Sequence, residues 1–139
     1  MKTWRIGWWT GLLVSGLLAG CASHEGAYEP VARQDAAVEN RAKFVLLDAA
    51  VRDSVDCSGL QERILSDGRL EVTAQVRNRL NRRIEVQINC VFKDEQGFPT
   101  EEEPTFKTLI LTENAQEGVR FTSLNEEASS YTIRVRQAR

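Results

Sequence analysis

Histidine and cysteine are scarce in this chain of 139 residues, which contains one histidine and three cysteines. The histidine, His24, lies near the N-terminus, and neither a Cys-x-x-Cys nor a paired-histidine spacing occurs. A zinc site needs several nitrogen or sulfur ligands, and a catalytic histidine needs a positioned partner. The sequence therefore predicts no metal site and no cofactor. It also offers no nucleophile–base pair, so we expect no enzyme.

The chain also lacks an excess of positive charge and lacks an apolar run of bilayer length. It carries 18 basic and 20 acidic side chains. A nucleic-acid-binding protein would show a clustered basic surface, and a membrane-spanning helix needs about 20 apolar residues. We therefore expect neither nucleic acid as a partner nor a membrane-spanning segment.

What is present at the N-terminus is a short basic segment followed by an apolar stretch over residues 6–18. This arrangement and its length are typical of a signal peptide. Leu-Ala-Gly-Cys follows at residues 18–21 and resembles the box that the bacterial lipoprotein pathway recognises. Small residues before the cysteine let a peptidase cleave, and the thiol of Cys21 can accept a diacylglyceryl group. We expect residues 1–20 to be a lipoprotein signal peptide and Cys21 to be lipidated.

A lipidated Cys21 would hold the protein on a membrane permanently. One acyl chain such as palmitate binds a membrane only marginally, whereas two or three chains bind it firmly. Ala22 follows the cysteine, where an aspartate commonly retains a lipoprotein in the inner membrane. We therefore expect a protein anchored in the outer membrane and facing the periplasm. Residues 21–42 contain few large apolar residues and are predicted to be a flexible tether.

Residues 43–139 have the pattern of a folded β domain. Apolar and polar residues alternate with period two over residues 70–77, 84–92, 119–122 and 131–136. Such alternation is typical of half-buried antiparallel strands. Less regular strands are predicted over residues 44–51, 60–65 and 106–111. Together they predict an all-β fold, a small immunoglobulin-like antiparallel β-sandwich, with a small open barrel as the alternative.

Three polar segments connect the strongest predicted strands: residues 66–68, 78–83 and 94–97. Asn78 and Gly97 are interpreted as turn residues, the first through its capping side chain and the second through a positive φ. The segment 78–83 joins two strong strands and is predicted to be an exposed turn.

Two clusters of charge stand out in the folded part. Arg77, Arg79, Arg82 and Arg83 make a basic turn. This turn could bind an acidic protein surface, anionic head groups or the carboxylates of a glycan, or it could simply be a soluble turn. Glu101, Glu102 and Glu103 could bind calcium or a cationic partner, although a straight triplet points its carboxylates apart. We favour a solvated loop for this triplet.

Cys57 and Cys90 are the two cysteines that remain if Cys21 carries lipid. An even number of thiols in an oxidising compartment favours a disulfide. Cys90 shares a predicted strand face with four large apolar residues and should point into the core. In the chain-entropy model, a bridge that closes the loop between Cys57 and Cys90 would stabilise the folded domain by roughly 3.5 kcal/mol. Two separate buried thiols are the alternative.

Residues 76–87 and 92–98 resemble the YcfL-like family of proteobacterial lipoproteins, in which a lipobox precedes a small β domain. Asn78, Asp94 and Gly97 stand at positions that match the family's asparagine-containing turn and its Asp-x-x-Gly. The likeness extends over roughly residues 60–136. The central strand departs from the family because Ile88 and Cys90 stand where relatives tend to have aromatic residues. The resemblance implies an outer-membrane location and a β domain.

These observations lead to one expected function and one alternative. We expect a non-enzymatic lipoprotein of the outer membrane that docks a protein of the cell envelope. Binding of peptidoglycan or another anionic glycan through the basic turn is the alternative.

Overall fold

Seven strands and one short helix build the domain in a computed structural model that describes residues 41–138. The strands are β1 (Phe44–Leu46), β2 (Val55–Ile64), β3 (Leu70–Asn78), β4 (Ile84–Lys93), β5 (Lys107–Leu111), β6 (Gln116–Thr122) and β7 (Ser130–Gln137), and the helix α1 (Ala49–Ser54) lies between β1 and β2. The predicted signal peptide, Cys21, His24 and residues 21–40 of the predicted tether lie outside the described residues. Within residues 41–138 no helix is long and apolar enough to cross a bilayer.

The strands form two sheets that pack face to face. Sheet A has the strand order β1-β7-β4-β5, and sheet B has the order β2-β3-β6. The core between them consists mainly of branched aliphatic side chains, including the fully buried Val72, Val76, Val86, Ile88, Ile133 and Val135. The alternation in β3, β4 and β7 places these side chains inward because successive strand residues point to opposite faces. The predicted all-β sandwich is confirmed, and the open barrel is not formed.

The first predicted strand is shorter than the sequence indicated. We predicted a strand over residues 44–51, but β1 ends at Leu46 and α1 begins three residues later. Asp48 terminates the strand because its side-chain Oδ1 accepts a hydrogen bond from the Val51 amide at 3.0 Å and caps the helix. Strand β1 is also parallel to β7, with Phe44 opposite Ile133. This is the one parallel pair among the described strands, which are otherwise antiparallel.

The connection between β3 and β4 passes from sheet B to sheet A. The turn predicted over residues 78–83 is present. Because β3 and β4 belong to different sheets, the two strands that it joins do not pair with each other. The tight turns at the other end are as predicted, since Gly68 and Gly97 adopt φ values of 83° and 88°. These values lie in the left-handed region, which glycine enters without steric cost.

The connections lie at two opposite ends of the sandwich. The arginine end comprises residues 47–54, 79–83 and 112–115, which are tied together by backbone hydrogen bonds such as Arg79 N to Ser54 O at 2.9 Å. The loop end comprises residues 65–69, 94–106 and 123–129, joined by bonds such as Ser129 N to Lys93 O at 2.9 Å. Because β1 runs parallel to β7, which starts at the loop end, the chain also enters the domain at the loop end.

Candidate interaction site at the basic turn

Asn78 is a buried residue whose side chain holds the basic turn in place through hydrogen bonds. It is the last residue of β3, and its side chain is fully buried. Its Nδ2 donates to the carbonyl oxygens of Arg82 at 2.7 Å and Thr112 at 2.8 Å, and its Oδ1 accepts from the Leu80 amide at 2.9 Å. The capping role predicted for Asn78 is confirmed. The burial and the contact with the β5–β6 connection were not predicted.

Two further backbone hydrogen bonds fix the turn to its neighbours. The Arg79 amide donates to Ser54 O at the end of α1, and the Asn114 amide donates to Leu80 O at 3.0 Å. The turn is therefore held by α1 on one side and by the β5–β6 connection on the other. A turn that is fixed before binding loses less conformational entropy when a partner arrives.

The four arginine side chains of the basic turn point into solvent. Arg77, Arg79, Arg82 and Arg83 are all exposed. The ion pairs among residues 41–138 all involve other basic residues, so the four guanidinium groups have no acidic partner within the described part of the domain. The structure thus brings the four predicted site residues to one end and leaves them free to meet an external anion.

A groove lies between α1 and the basic turn. It has a volume of about 370 Å³. Its walls combine the charged side chains of Arg82, Arg83, Asp53 and Glu85 with the apolar side chains of Ala50, Leu80, Ile84 and Val86. This groove could not be predicted from the sequence pattern because α1 was not predicted. The one available signal was Asp48, a good helix-capping residue placed directly before two alanines.

The glutamate triplet lies in a loop at the opposite end. A side-chain oxygen of Glu101 accepts a hydrogen bond from the Leu124 amide, and Glu103 pairs with Arg134 at 2.7 Å. Glu102 is exposed. The carboxylates of Glu101 and Glu103 thus point to different partners, as predicted, but both bind protein groups where we expected a solvated loop. In residues 41–138, no group of acidic, histidine or cysteine side chains could hold a metal ion.

Cys57 and Cys90 are free thiols in this structure, so the candidate bridge is not formed here. Cys90 is buried in the core, as predicted, and burial raises the pKa of its thiol to about 12. Cys57 is half-buried beside an irregularity in the β2–β3 register, and burial also raises the pKa of this thiol. The formation of the bridge in the cell stays a prediction.

One family model and two solved structures are similar to this chain. Residues 42–137 match the family described as "Protein of unknown function (DUF1425)", and the chain belongs to this family. A crystal structure of a DUF1425 family member from Shewanella sp. pv-4 is 24% identical, with a TM-score of 0.56, over 61% of this chain and 79% of that one. The crystal structure of Campylobacter jejuni cj0090 is 17% identical, with a TM-score of 0.55, over 69% of this chain and 98% of that one. At these identities the likeness establishes the fold alone. No curated protein matches the chain.

Proposed function

We propose that this chain is a lipid-anchored docking protein of the outer membrane, close to the YcfL-like lipoproteins within its family, and that its basic turn binds an acidic surface of a cell-envelope protein. The observation that carries the proposal is the set of four exposed arginines without acidic partners among the described residues. Unpaired charges of one sign attract a partner of the opposite sign and orient it. Cys21 would supply the anchor.

The position of the basic turn supports this proposal. The chain enters the domain at the loop end, and the basic turn lies at the arginine end. Strand β3 has nine residues and connects the two ends, which corresponds to roughly 30 Å at the usual strand rise. A tether that starts at a lipidated Cys21 would therefore join the domain on the side opposite the arginines. The basic turn would be presented to the periplasm.

Two of the four edge strands are poorly suited to recognition, which also favours the basic turn. On one side of the sandwich, the edge strands β5 and β6 carry Lys107 and Glu117 at inward-facing positions, opposite the buried Ile88 and Val76. Inward-pointing charges at an edge discourage the addition of a foreign strand. Lys107 remains at the rim, with its Nζ 5.7 Å from the centre of the Phe121 ring.

Binding of an anionic glycan is the second candidate function, and the groove beside α1 favours it. Its volume of about 370 Å³ falls in the lower part of the usual range for small-ligand sites. Arg82 and Arg83 would bind a sugar carboxylate there. Incubation of the purified protein with cell-wall sacculi tests this candidate: cosedimentation that is lost in the variant Arg83→Ser supports glycan binding, and no cosedimentation excludes it.

Photocrosslinking in cells tests the docking function directly. A photoreactive amino acid replaces Arg79 at the arginine end or, as the matched position, Glu102 at the loop end. We expect Arg79 to give a discrete crosslinked protein band that Glu102 does not give. A band at Glu102 alone would contradict the assignment of the docking surface to the basic turn.

A further inference from the structure

Three large apolar side chains are exposed at the loop end, one in or directly beside each of its three connections. Ile64 ends β2, Phe98 follows the turn after β4, and Leu124 lies between β6 and β7; their exposed fractions are 76%, 66% and 77%. No other large apolar residue among the described ones exceeds 45% exposure. Exposed apolar side chains gathered at one end of a domain mark a surface that something covers.

The loops that carry these side chains are fixed in place. Asp94 Oδ1 accepts hydrogen bonds from the amides of Gln96 and Phe98, both at 2.9 Å, so the turn that presents Phe98 is rigid. The Leu124 amide bonds to Glu101, and Ser123 bonds to the backbone of Leu70 at the start of β3. The apolar side chains are therefore not loosely exposed residues of mobile loops. Hydrogen bonds of their own loops fix Phe98 and Leu124, and pairing with Leu70 in the β2–β3 ladder fixes Ile64.

The N-terminal part of the chain joins the domain at this same end. Lys43 precedes β1 and forms an ion pair of 2.8 Å with Glu62, two residues before Ile64. The carbonyl oxygen of Ala42 accepts a hydrogen bond from Thr132 near the start of β7. A lipid anchor at Cys21 would therefore be connected to the domain through its loop end, which is the end that carries the exposed apolar side chains.

We propose that the loop end rests on the membrane and that Ile64, Phe98 and Leu124 insert into the lipid interface. This inference rests on the proposed function, since it takes the lipid anchor at Cys21 as given. Apolar side chains at the interface lie at the boundary between headgroups and acyl chains. The full burial of one of these side chains in lipid raises the equilibrium constant for the membrane-bound orientation by roughly tenfold or more.

The charges around these side chains define the kind of lipid. Glu102, Glu126 and Glu127 are exposed at the loop end. By contrast, the basic side chains of Arg63 and Arg69 there are paired with Glu71 and Asp67. Acidic side chains repel anionic headgroups, so electrostatic attraction cannot be what brings this surface to a membrane. We therefore expect the apolar contact to be made with zwitterionic lipid such as phosphatidylethanolamine.

Photolabelling by lipid tests this orientation in the full-length chain. The protein is reconstituted into phosphatidylethanolamine–phosphatidylcholine vesicles that contain a phospholipid with a diazirine on its acyl chain, floated, illuminated and digested. We expect lipid adducts on the peptides with Ile64, Phe98 and Leu124, and at least about a fivefold loss when all three become serine. Ile110→Ser is the matched control, because Ile110 is exposed on β5 away from the three loops, and it should leave the adducts unchanged.

Two results would overturn the inference, and they can be told apart. A protein that floats with the vesicles but carries no adducts on these peptides, or equal adducts in the triple variant, is anchored without resting on its loop end. The three side chains would then serve a protein partner. A protein that does not float at all lacks the lipid anchor, which overturns the proposed function and this inference together.

Discussion

Asn78 illustrates how one residue can serve both the fold and the candidate site. Its amide satisfies carbonyl oxygens from two separate segments, Arg82 and Thr112, while its Oδ1 orients Leu80. The sequence identifies Asn78 as a turn residue because asparagine commonly caps its own backbone. It does not reveal the bond to Thr112, since that partner is 34 residues away. The four arginines were visible in the sequence, whereas the residue that positions them became clear only in the folded chain.

The variant Asn78→Ala tests this role. It leaves the carbonyl groups of Arg82 and Thr112 without their donor, and we expect a loss of about 2–3 kcal/mol in the free energy of unfolding. The measurement is urea denaturation, with Asn81→Ala as the matched control because Asn81 is an exposed residue of the same turn. The control should change stability by less than about 0.5 kcal/mol. Equal losses in both variants would contradict the role of Asn78.

The two thiols provide a second test at the scale of residues. Thiolate is the reactive form of cysteine, and burial raises the pKa of the Cys90 thiol to about 12. We expect Cys90 in the folded, reduced protein to be alkylated by iodoacetamide at pH 8 much more slowly than the half-buried Cys57. Denaturation should abolish the difference. Mass spectrometry of tryptic peptides measures both rates, and equal rates in the folded protein would show that Cys90 is not enclosed.

At the scale of elements, the strongest strands were predictable and the N-terminal one was not. Strands β3, β4 and β7 follow a period-two pattern that only one register can bury. Strand β1 lies in an apolar run that the sequence alone extends to residue 51, and the competing cap at Asp48 decides where it ends. Its parallel pairing with β7 joins residues 89 positions apart, and local periodicity carries no information about such a pairing.

The ion pair beside β1 predicts how the stability of the domain changes in acid. A hydrogen bond from Lys43 lowers the pKa of Glu62, and the Tyr131 hydroxyl contributes to this lowering. A lowered pKa in the folded state contributes stability above the unfolded pKa of Glu, about 4.3, and this contribution is lost as the pH falls through the folded value. Both members of the Lys43–Glu62 pair are half-exposed, so we expect less than about 1 kcal/mol.

The variant Glu62→Gln removes this titration. We expect its free energy of unfolding to be lower than that of the wild-type protein at pH 7, and the difference to shrink as the pH falls below about 4. The measurement is urea denaturation at several pH values, with Glu95→Gln as the control at an exposed position. A difference that stays constant over the acidic range would show that the carboxylate charge is not what attaches β1.

At the scale of the whole molecule, the sandwich separates two surfaces of different character. The arginine end presents four arginines that have no acidic partner within residues 41–138, and the loop end presents apolar side chains beside acidic ones. The parallel β1 brings the N-terminal part of the chain to the loop end. The sequence indicated the anchor and the basic turn separately. Their placement at opposite ends depends on the direction of β1 and could not be read from the sequence.

The anchor itself is tested by the variant Cys21→Ser. It removes the thiol that would accept the diacylglyceryl group, so we expect an unlipidated precursor whose signal peptide over residues 1–20 is not cleaved. Labelling with a clickable palmitate analogue and partitioning into detergent compare the two forms. The variants Cys57→Ser and Cys90→Ser should keep the label. Label that persists in Cys21→Ser would show that the lipid, if present, is attached elsewhere.

The central claim is that the basic turn docks a protein of the cell envelope. Its most direct test is the yield of the crosslinked band from a photoreactive residue at position 79 in cells, measured with and without the double change Arg82→Glu and Arg83→Glu. Both arginines are exposed, so the double variant should remain within about 1 kcal/mol of the wild-type stability, which thermal unfolding verifies. We expect the band to fall at least about tenfold, since reversing two charges at a complementary interface costs more than about 1.4 kcal/mol. An unchanged yield in the folded double variant would contradict docking through the basic turn.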